Sequence, residues 1–427
     1  MKKVLIITYY WPPAGGPGVQ RWLKFVKYLR EYAIDPVVFV PENPTYPIKD
    51  TSLSTEIPED ITVLKRSIFE PYRFAQFFSK KDTNTISKGI IARGEKQSFI
   101  QRLLLYIRGN YFIPDARKFW VKPSVRFLKK YLKKHQIDTI ITTGPPHSVH
   151  LIGLELKKEM GSKWVADFRD PWTTIGYHDK LKLGKRAKEK HTSLEEEVLT
   201  NADHVLVTSN TTKHEFEAIT LQPITVITNG YDYEKGVEVS LSDRFTISHI
   251  GSLLSGRNPV MLWKALYDLT EEHPDFATSL EIQLVGAVSE DVLESIKGAG
   301  LTSFLTLKGY VSHQEAVAIQ RSSQLLVLIE IDVPETRCII PGKLFEYMVS
   351  NRPILAIGPE GADIEGLIKE TNTGVFYQYR DYTDIKKQLW EYYQQFLKGT
   401  LQTQPIGLQR FSRKELTRTL SEVLKKL

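Results

Sequence analysis

The chain has one cysteine, Cys338, in 427 residues. A lone thiol has no partner for an intrachain disulfide, and a thiolate metal cluster needs several. No stretch approaches the ~18–20 apolar residues that a membrane-spanning helix requires. No Asp-x-Asp pair occurs, and no His/Cys/Asp cluster has metal-ligand spacing; Asp167 and Asp170 stand three apart. The glycine fingerprint of dinucleotide sites, G-x-G-x-x-G, is missing as well. The N-terminal apolar run is too short for the core of a secretory leader and leads to no small-residue cleavage site. Val4–Thr8 reads instead as a first β-strand. These absences together favour a reducing cytoplasm.

What is present is ordinary in amount: 41% hydrophobic and 25% charged residues. Those proportions exclude a disordered or collagen-like chain, and the length fits two domains. Net charge is +7, which suits an anionic ligand or surface. The charge is uneven. Ala116 to His135 carries Arg117, Lys118, Lys122, Arg126, Lys129, Lys130, Lys133 and Lys134 without one acid. A second cluster holds Lys180, Lys182, Lys185, Arg186, Lys188 and Lys190. Trp120, Phe127, Tyr131 and Leu132 are interleaved with the first, as on a helix lying in a membrane interface. The alternative is a solvated basic helix face. No nucleic-acid recognition module accompanies the charge.

Short β-rich runs alternate with helical patterns along the whole chain. The first half offers strands at Val4–Thr8, Pro36–Val40, Ile61–Lys65, Thr139–Thr143, Trp164–Asp167, His204–Ser209 and Ile224–Thr228. The second offers Phe245–Ile250, Glu281–Val285, Phe304–Lys308, Gln324–Ile329, Pro353–Ile357 and Gly374–Tyr377. Runs such as Leu325–Ile329 are apolar without alternation, as expected of parallel strands covered on both faces. Trp22, Phe25, Val26 and Leu29 form one helical stripe. Ser312 to Glu315 is a capping box. The alternation starts twice, each time as a strand followed by a glycine-bearing loop. The expectation is α/β: two Rossmann-like domains facing across a cleft. Residues 1–228 would form the first, with an insertion at about 67–115 made of loops and one or two helices. Residues 229–407 would form the second, and 408–427 a C-terminal helix.

Ligands of open α/β sheets bind beyond the carboxyl ends of the strands, so loops there carry the candidates. Gly15 and Gly16 follow the first strand, where glycine admits a ligand close to the backbone and a helix start favours anions. A long turn is the alternative. Gly251 and Arg257 follow the eighth strand. A guanidinium there pairs with phosphate in a forked geometry, unless it is simply solvated. Gly342, Lys343, Leu344 and Glu346 open a helix after the eleventh strand. Lys343 offers a cation for phosphate, and Glu346 can accept two hydrogen bonds from a ribose diol or else serve the helix dipole. His147, with His150 nearby, follows Gly144-Pro145-Pro146 at a helix start facing the cleft. It reads as a base or acceptor ligand, or as a capping or packing histidine. Asp167, Arg169 and Asp170 suggest contacts to sugar hydroxyls or phosphate, or an internal Arg–Asp pair.

The chain resembles retaining glycosyltransferases of family 4, which have the GT-B fold, and most closely bacterial members of cell-surface polysaccharide pathways. Tyr10-Trp11-Pro12-Pro13 with Gly15-Gly16 resembles the family's first loop. Ile227-Thr228-Asn229-Gly230-Tyr231-Asp232 resembles its interdomain segment. Gly251 and Arg257 resemble the glycine and basic residue of its phosphate loop, and Glu346 matches the second glutamate of E-x7-E. The first glutamate falls on Cys338, and the arginine that usually follows the loop glycine falls on Ser252.

The resemblance implies a glycosyltransferase using a UDP- or GDP-linked sugar with retention and no required metal or other cofactor; the cysteine usage places it in the cytoplasm and the basic clusters on the inner face of the membrane. Arg257 and Lys343 would neutralise the diphosphate and Glu346 would hold the ribose. Gly15 and Gly16 would close on the sugar phosphate, and His147 and Asp170 would touch the sugar or acceptor. The acceptor would be a glycan, growing on a lipid carrier. The C-terminal helix would return to the N-terminal domain. A sugar-nucleotide epimerase on the same fold, or a sugar-nucleotide binding protein without turnover, remains open beside it.

Overall fold

The computed structural model describes residues 1–70, 99–174, 176, 181–232 and 239–427. The central part of the expected insertion, 71–98, and Lys180 of the second basic cluster lie outside the described residues. The chain divides into two compact units, Met1–Asn229 with Arg413–Leu427, and Gly230–Ser412.

The first unit is a seven-stranded sheet in the order β3-β2-β1-β4-β5-β6-β7. Its strands are β1 (Lys2–Thr8), β2 (Ile34–Pro41), β3 (Thr62–Arg66), β4 (Thr139–Gly144), β5 (Lys163–Phe168), β6 (His204–Val207) and β7 (Ile224–Val226). Every neighbouring pair is parallel. Successive β1 residues serve opposite cores. Val4 and Ile6 pack with α1 (Pro17–Leu29) and the C-terminal helix Arg413–Lys426, while Leu5 and Ile7 pack with α2 (Val121–His135) and α3 (Ser148–Met160). This double cover is why the strands read as unbroken apolar runs.

α1 buries Trp22, Phe25, Val26 and Leu29, the stripe read from the sequence. Leu416, Leu420, Val423 and Leu424 of the C-terminal helix join the same core. The four apolar residues interleaved with the cations in and just before α2 turn inward. Trp120 is 1% exposed and stacks on Phe39 at 5.0 Å, and Leu132 is buried. Phe127 and Tyr131 pack on the same core. The apolar face covers the protein's own sheet, whereas Lys122, Arg126, Lys130, Lys133 and Lys134 are exposed. In α2 the interleaved aromatics and cations therefore form an amphipathic helix whose apolar face lies on the sheet. No helix among the described residues is long and apolar enough to cross a membrane.

The second unit is a six-stranded parallel sheet in the order β10-β9-β8-β11-β12-β13. Its strands are β8 (Phe245–Ile250), β9 (Leu280–Val285), β10 (Leu305–Leu307), β11 (Leu325–Ile329), β12 (Ile354–Gly358) and β13 (Gly374–Gln378). One face packs on α4 (Val260–Glu272) and α7 (Tyr382–Leu397), the other on α5 (Gly342–Met348) and α6 (Asp363–Thr371). Half of the capping box forms: Ser312 Oγ accepts from the Glu315 amide at 3.2 Å. In both sheets the strand order reverses beside the first strand, between β1 and β4 and between β8 and β11. Those reversal points are where crevices open in doubly wound sheets.

Candidate active site

The five candidate loops collapse into two clusters, one in each unit. In the second unit the loops after β8 and β11 meet through Lys343. Its ammonium donates to the Ile250 carbonyl at 3.2 Å and approaches His249 Nε2 at 3.2 Å. His249 Nδ1 lies 3.0 Å from the Val327 carbonyl, which can only accept, so Nδ1 carries the proton and Nε2 accepts from Lys343. Burial, with the Lys343 charge beside it, holds this histidine well below its ordinary pKa and therefore neutral. Tyr347, one turn along α5, exchanges hydrogen bonds with Ile250, accepting from its amide at 2.9 Å and donating to its carbonyl at 3.3 Å. Two side chains of a short helix thus pin the end of β8.

Burial also pulls the Lys343 ammonium down to about 8. Glu330 and Glu346 oppose that shift, and Arg257 adds to it. Arg257 pairs with Glu330 at 3.2 Å, and its Nε is buried without a hydrogen-bond partner. Glu330 is the residue directly after β11, at the reversal point, and its side chain is 3% exposed. Arg257 thus takes the buried carboxylate of Glu330, while Lys343 feels both Glu330 and Glu346 without an ion pair to either.

Gly251 adopts φ 118°, a region open to glycine but costly for other residues. An added Cβ would lie 3.2 Å from Lys343 Nζ. Gly286, at φ 110°, passes so close that its Cβ would stand 2.8 Å from the Gly251 carbonyl oxygen. Gly251→Ala should therefore lose ~1–2 kcal/mol of stability from the left-handed backbone alone. Urea unfolding checks this; an unchanged midpoint would contradict it.

Glu346 accepts from Gln320 Nε2 at 3.2 Å and is half-buried. Leu344 does not present itself to a ligand. Its side chain is fully buried in the core and its amide donates to Pro341 at 3.0 Å. Gly342 opens the helix as expected. Cys338, at the position of the first motif glutamate, is buried, with its Sγ 3.7 Å from the Glu335 carbonyl.

In the first unit three loops meet around Arg169. Its Nε donates to the Gly144 carbonyl at 3.1 Å, and a terminal nitrogen donates to Pro145. A Cβ on Gly18 would fall 1.5 Å from Arg169 Nη1, so the start of α1 is glycine because the guanidinium lies across it. Gly16, at φ 107°, has no atom within 4 Å of where a Cβ would be; Gly15 would meet Ile48 and Asp50. Asp170 is half-buried and has no hydrogen-bond partner among the described residues. Burial raises its carboxyl above the ordinary value, Arg169 opposes this and Asp167 adds to it.

The histidine expectation is corrected in part. His147 does stand at the start of α3, but its ring is 3% exposed and stacks on Trp172 at 4.8 Å, so it lines the loop from behind. His150 is fully buried and its pKa is depressed by burial to about 3. Asp167 takes the structural alternative with a different arginine. It accepts from Arg21 at 3.0 Å, Trp22 at 2.8 Å and Thr143 at 2.8 Å.

Sequence reasoning passed over His249, Glu330 and Glu195. Glu330 could have been found as the first polar residue after an unbroken apolar strand. Glu195 gives no such signal. It reaches from the helix Lys185–Asn201 to accept from the amides of Trp172 and Thr173, both at 3.1 Å, fixing the loop that carries Asp170. Among the described residues, no group of three or more His, Cys, Asp and Glu is placed to hold a metal ion.

Two doubly wound parallel units are the arrangement of the GT-B fold. Solved structures of that fold superpose over the whole chain. HepE of Anabaena, solved with UDP, shares 14% identity at a TM-score of 0.61, with 100% of both chains covered. Sucrose-phosphate synthase of Thermosynechococcus elongatus shares 13% at 0.61, covering 100% of this chain and 99% of that one. The UDP-forming trehalose-phosphate synthase of Burkholderia vietnamiensis shares 13% at 0.56, with 100% of both chains covered. Residues 89–235 match the model of Glycosyltransferase Family 4. No curated protein sequence matches the chain.

Proposed function

We propose that the protein transfers a sugar from a UDP- or GDP-linked donor to a glycan or lipid-linked acceptor in cell-surface polysaccharide synthesis. Transfer proceeds with retention and draws on protein cations rather than a metal. One observation carries the reading: at the β8/β11 reversal point Lys343 stands beside Gly251 and Arg257 pairs with the buried carboxylate of Glu330. A leaving nucleoside diphosphate gains charge in the transition state, and preorganised cations in a partly desolvated site stabilise it. Lys343 is aimed by His249 and Ile250, while Arg257 Nε is left for an oxygen. Glu346 keeps acceptor capacity for the ribose diol beside Gln320. In the first unit, Gly16 and the unpartnered Asp170 are the groups for the sugar or acceptor, Gly15 shapes their loop, and His147 supports that loop under Trp172.

Incubation with nucleotide sugars and lipid-linked acceptors tests the reading: sugar transfer is expected. Donor isomerisation alone would identify an epimerase, and binding without turnover a non-catalytic protein. UDP is the first probe, because HepE binds it. Arg257→Ala should weaken UDP binding about 10-fold or more, the worth of a charge-assisted hydrogen bond of ~1.5–3 kcal/mol. Unchanged affinity by calorimetry would remove Arg257 from the site.

A further inference from the structure

A cavity of about 440 Å³ lies wholly within the second unit, beyond the carboxyl ends of β11, β12 and β13. That volume falls within the ~300–1,000 Å³ usual for small-molecule sites. Four charged side chains line it: Arg337, Arg380, Asp332 and Glu360. None of them makes a side-chain hydrogen bond or ion pair with a described residue. Opposite charges around one cavity that do not neutralise each other are available to a ligand.

Arg337 sets the ligand's chemistry. It is half-buried, and its Nε is buried without a hydrogen-bond partner. A buried donor left unpaired is costly, and a guanidinium is the side chain best shaped to grip an oxyanion. The loop that carries it is fixed from several sides. Thr336 Oγ1 donates to the carbonyls of Ile331 at 2.6 Å and Val333 at 2.8 Å. The Arg337 carbonyl accepts from the Asp363 amide at 2.9 Å, at the start of α6. Gly361, at φ 74°, turns the chain past the guanidinium, so that an added Cβ would stand 3.9 Å from Nε.

We propose that this cavity binds an acidic sugar unit, with its carboxylate on Arg337 and its hydroxyls on Asp332 and Glu360. A phosphate dianion would bring a second negative charge against those two acids; a sugar carboxylate does not. Tyr379 and Pro334 supply an apolar wall for the C–H face of a ring. Tyr379 also donates to the Glu330 carbonyl at 2.7 Å, which joins the cavity to the residue that pairs with Arg257. The carboxylate has two sources, the sugar of a nucleotide donor or a unit of an acidic glycan.

Titrations of the full chain separate them, using UDP-glucuronate against UDP-glucose in one arm and a glucuronate-containing oligosaccharide against its neutral counterpart, without nucleotide, in the other. The acidic ligand should bind about tenfold more tightly in at least one arm, the worth of one charge-assisted pair. Arg337→Gln should erase that preference, Arg337→Lys should retain part of it, and UDP affinity and melting temperature should stay unchanged in both variants. A preference in the first arm alone assigns the donor sugar; one in the second assigns the glycan. Equal binding of acidic and neutral ligands in both arms would overturn the proposal. So would a preference that survives Arg337→Gln, or glucose 1-phosphate binding more tightly than methyl glucuronide. Failure of UDP itself to bind would strike the donor reading instead, and the oligosaccharide arm would still decide this one.

Discussion

Lys343→Ala is expected to weaken UDP binding by about 10- to 100-fold, the worth of a hydrogen bond to a charged group at ~1.5–3 kcal/mol. Turnover should fall further, by about 10²–10³-fold, because the ammonium meets its greatest demand when charge develops on the leaving diphosphate. The pH dependence identifies the group. Burial places the Lys343 pKa at about 8, so the ammonium is intact below that value and is lost above it. UDP affinity should be full below about pH 8 and fall by up to about tenfold per pH unit above it, until the pKa of the bound form is reached. Lys343→Arg keeps a cation that does not titrate in this range and should flatten that fall. Calorimetry from pH 6.5 to 9.5 reads both effects. An alkaline fall that persists in Lys343→Arg would assign the titration elsewhere.

The second large effect is on stability and has nothing to do with the donor. Asp167 is fully buried and accepts from Arg21, Trp22 and Thr143, while Arg21 also donates to the Thr228 carbonyl at 2.6 Å. This network ties α1 to the carboxyl ends of β4 and β5 and to the segment after β7. Asp167→Ala leaves a guanidinium with 2% side-chain exposure without its counter-charge. Removing one partner of a buried pair costs ~3–5 kcal/mol. For a unit of this size the melting temperature should drop by roughly 10 °C. Asp167→Asn keeps part of the hydrogen bonding and should cost less. A loss below ~1 kcal/mol for the alanine variant would mean that the network is not what holds these loops.

The strands and their parallel layering were legible because the physics behind them is local. Each parallel strand leaves a short apolar run, and all thirteen runs read from the sequence appear, with ends displaced by a few residues. Loops after strands at the reversal points were legible for the same reason. What could not be read was partner choice. Asp167 beside Arg169 in sequence suggested an internal pair, yet Asp167 binds Arg21 from another element. Arg169 instead braces backbone carbonyls. His147 looked accessible because its neighbours are loop residues; Trp172, 25 residues on, covers it. The aromatics of α2 suggested an interface, since amphipathic patterning does not say whether lipid or a sheet covers the apolar face. His249 and Glu330 escaped notice because a polar residue within or just after an apolar strand acquires meaning only from what lies across the sheet.

A structure of the protein soaked with UDP tests the central claim most directly. The account predicts both phosphates beside Gly251, with oxygens within hydrogen-bond distance, about 2.7–3.2 Å, of Lys343 Nζ and the Arg257 guanidinium. Diphosphate bound away from both cations would contradict it.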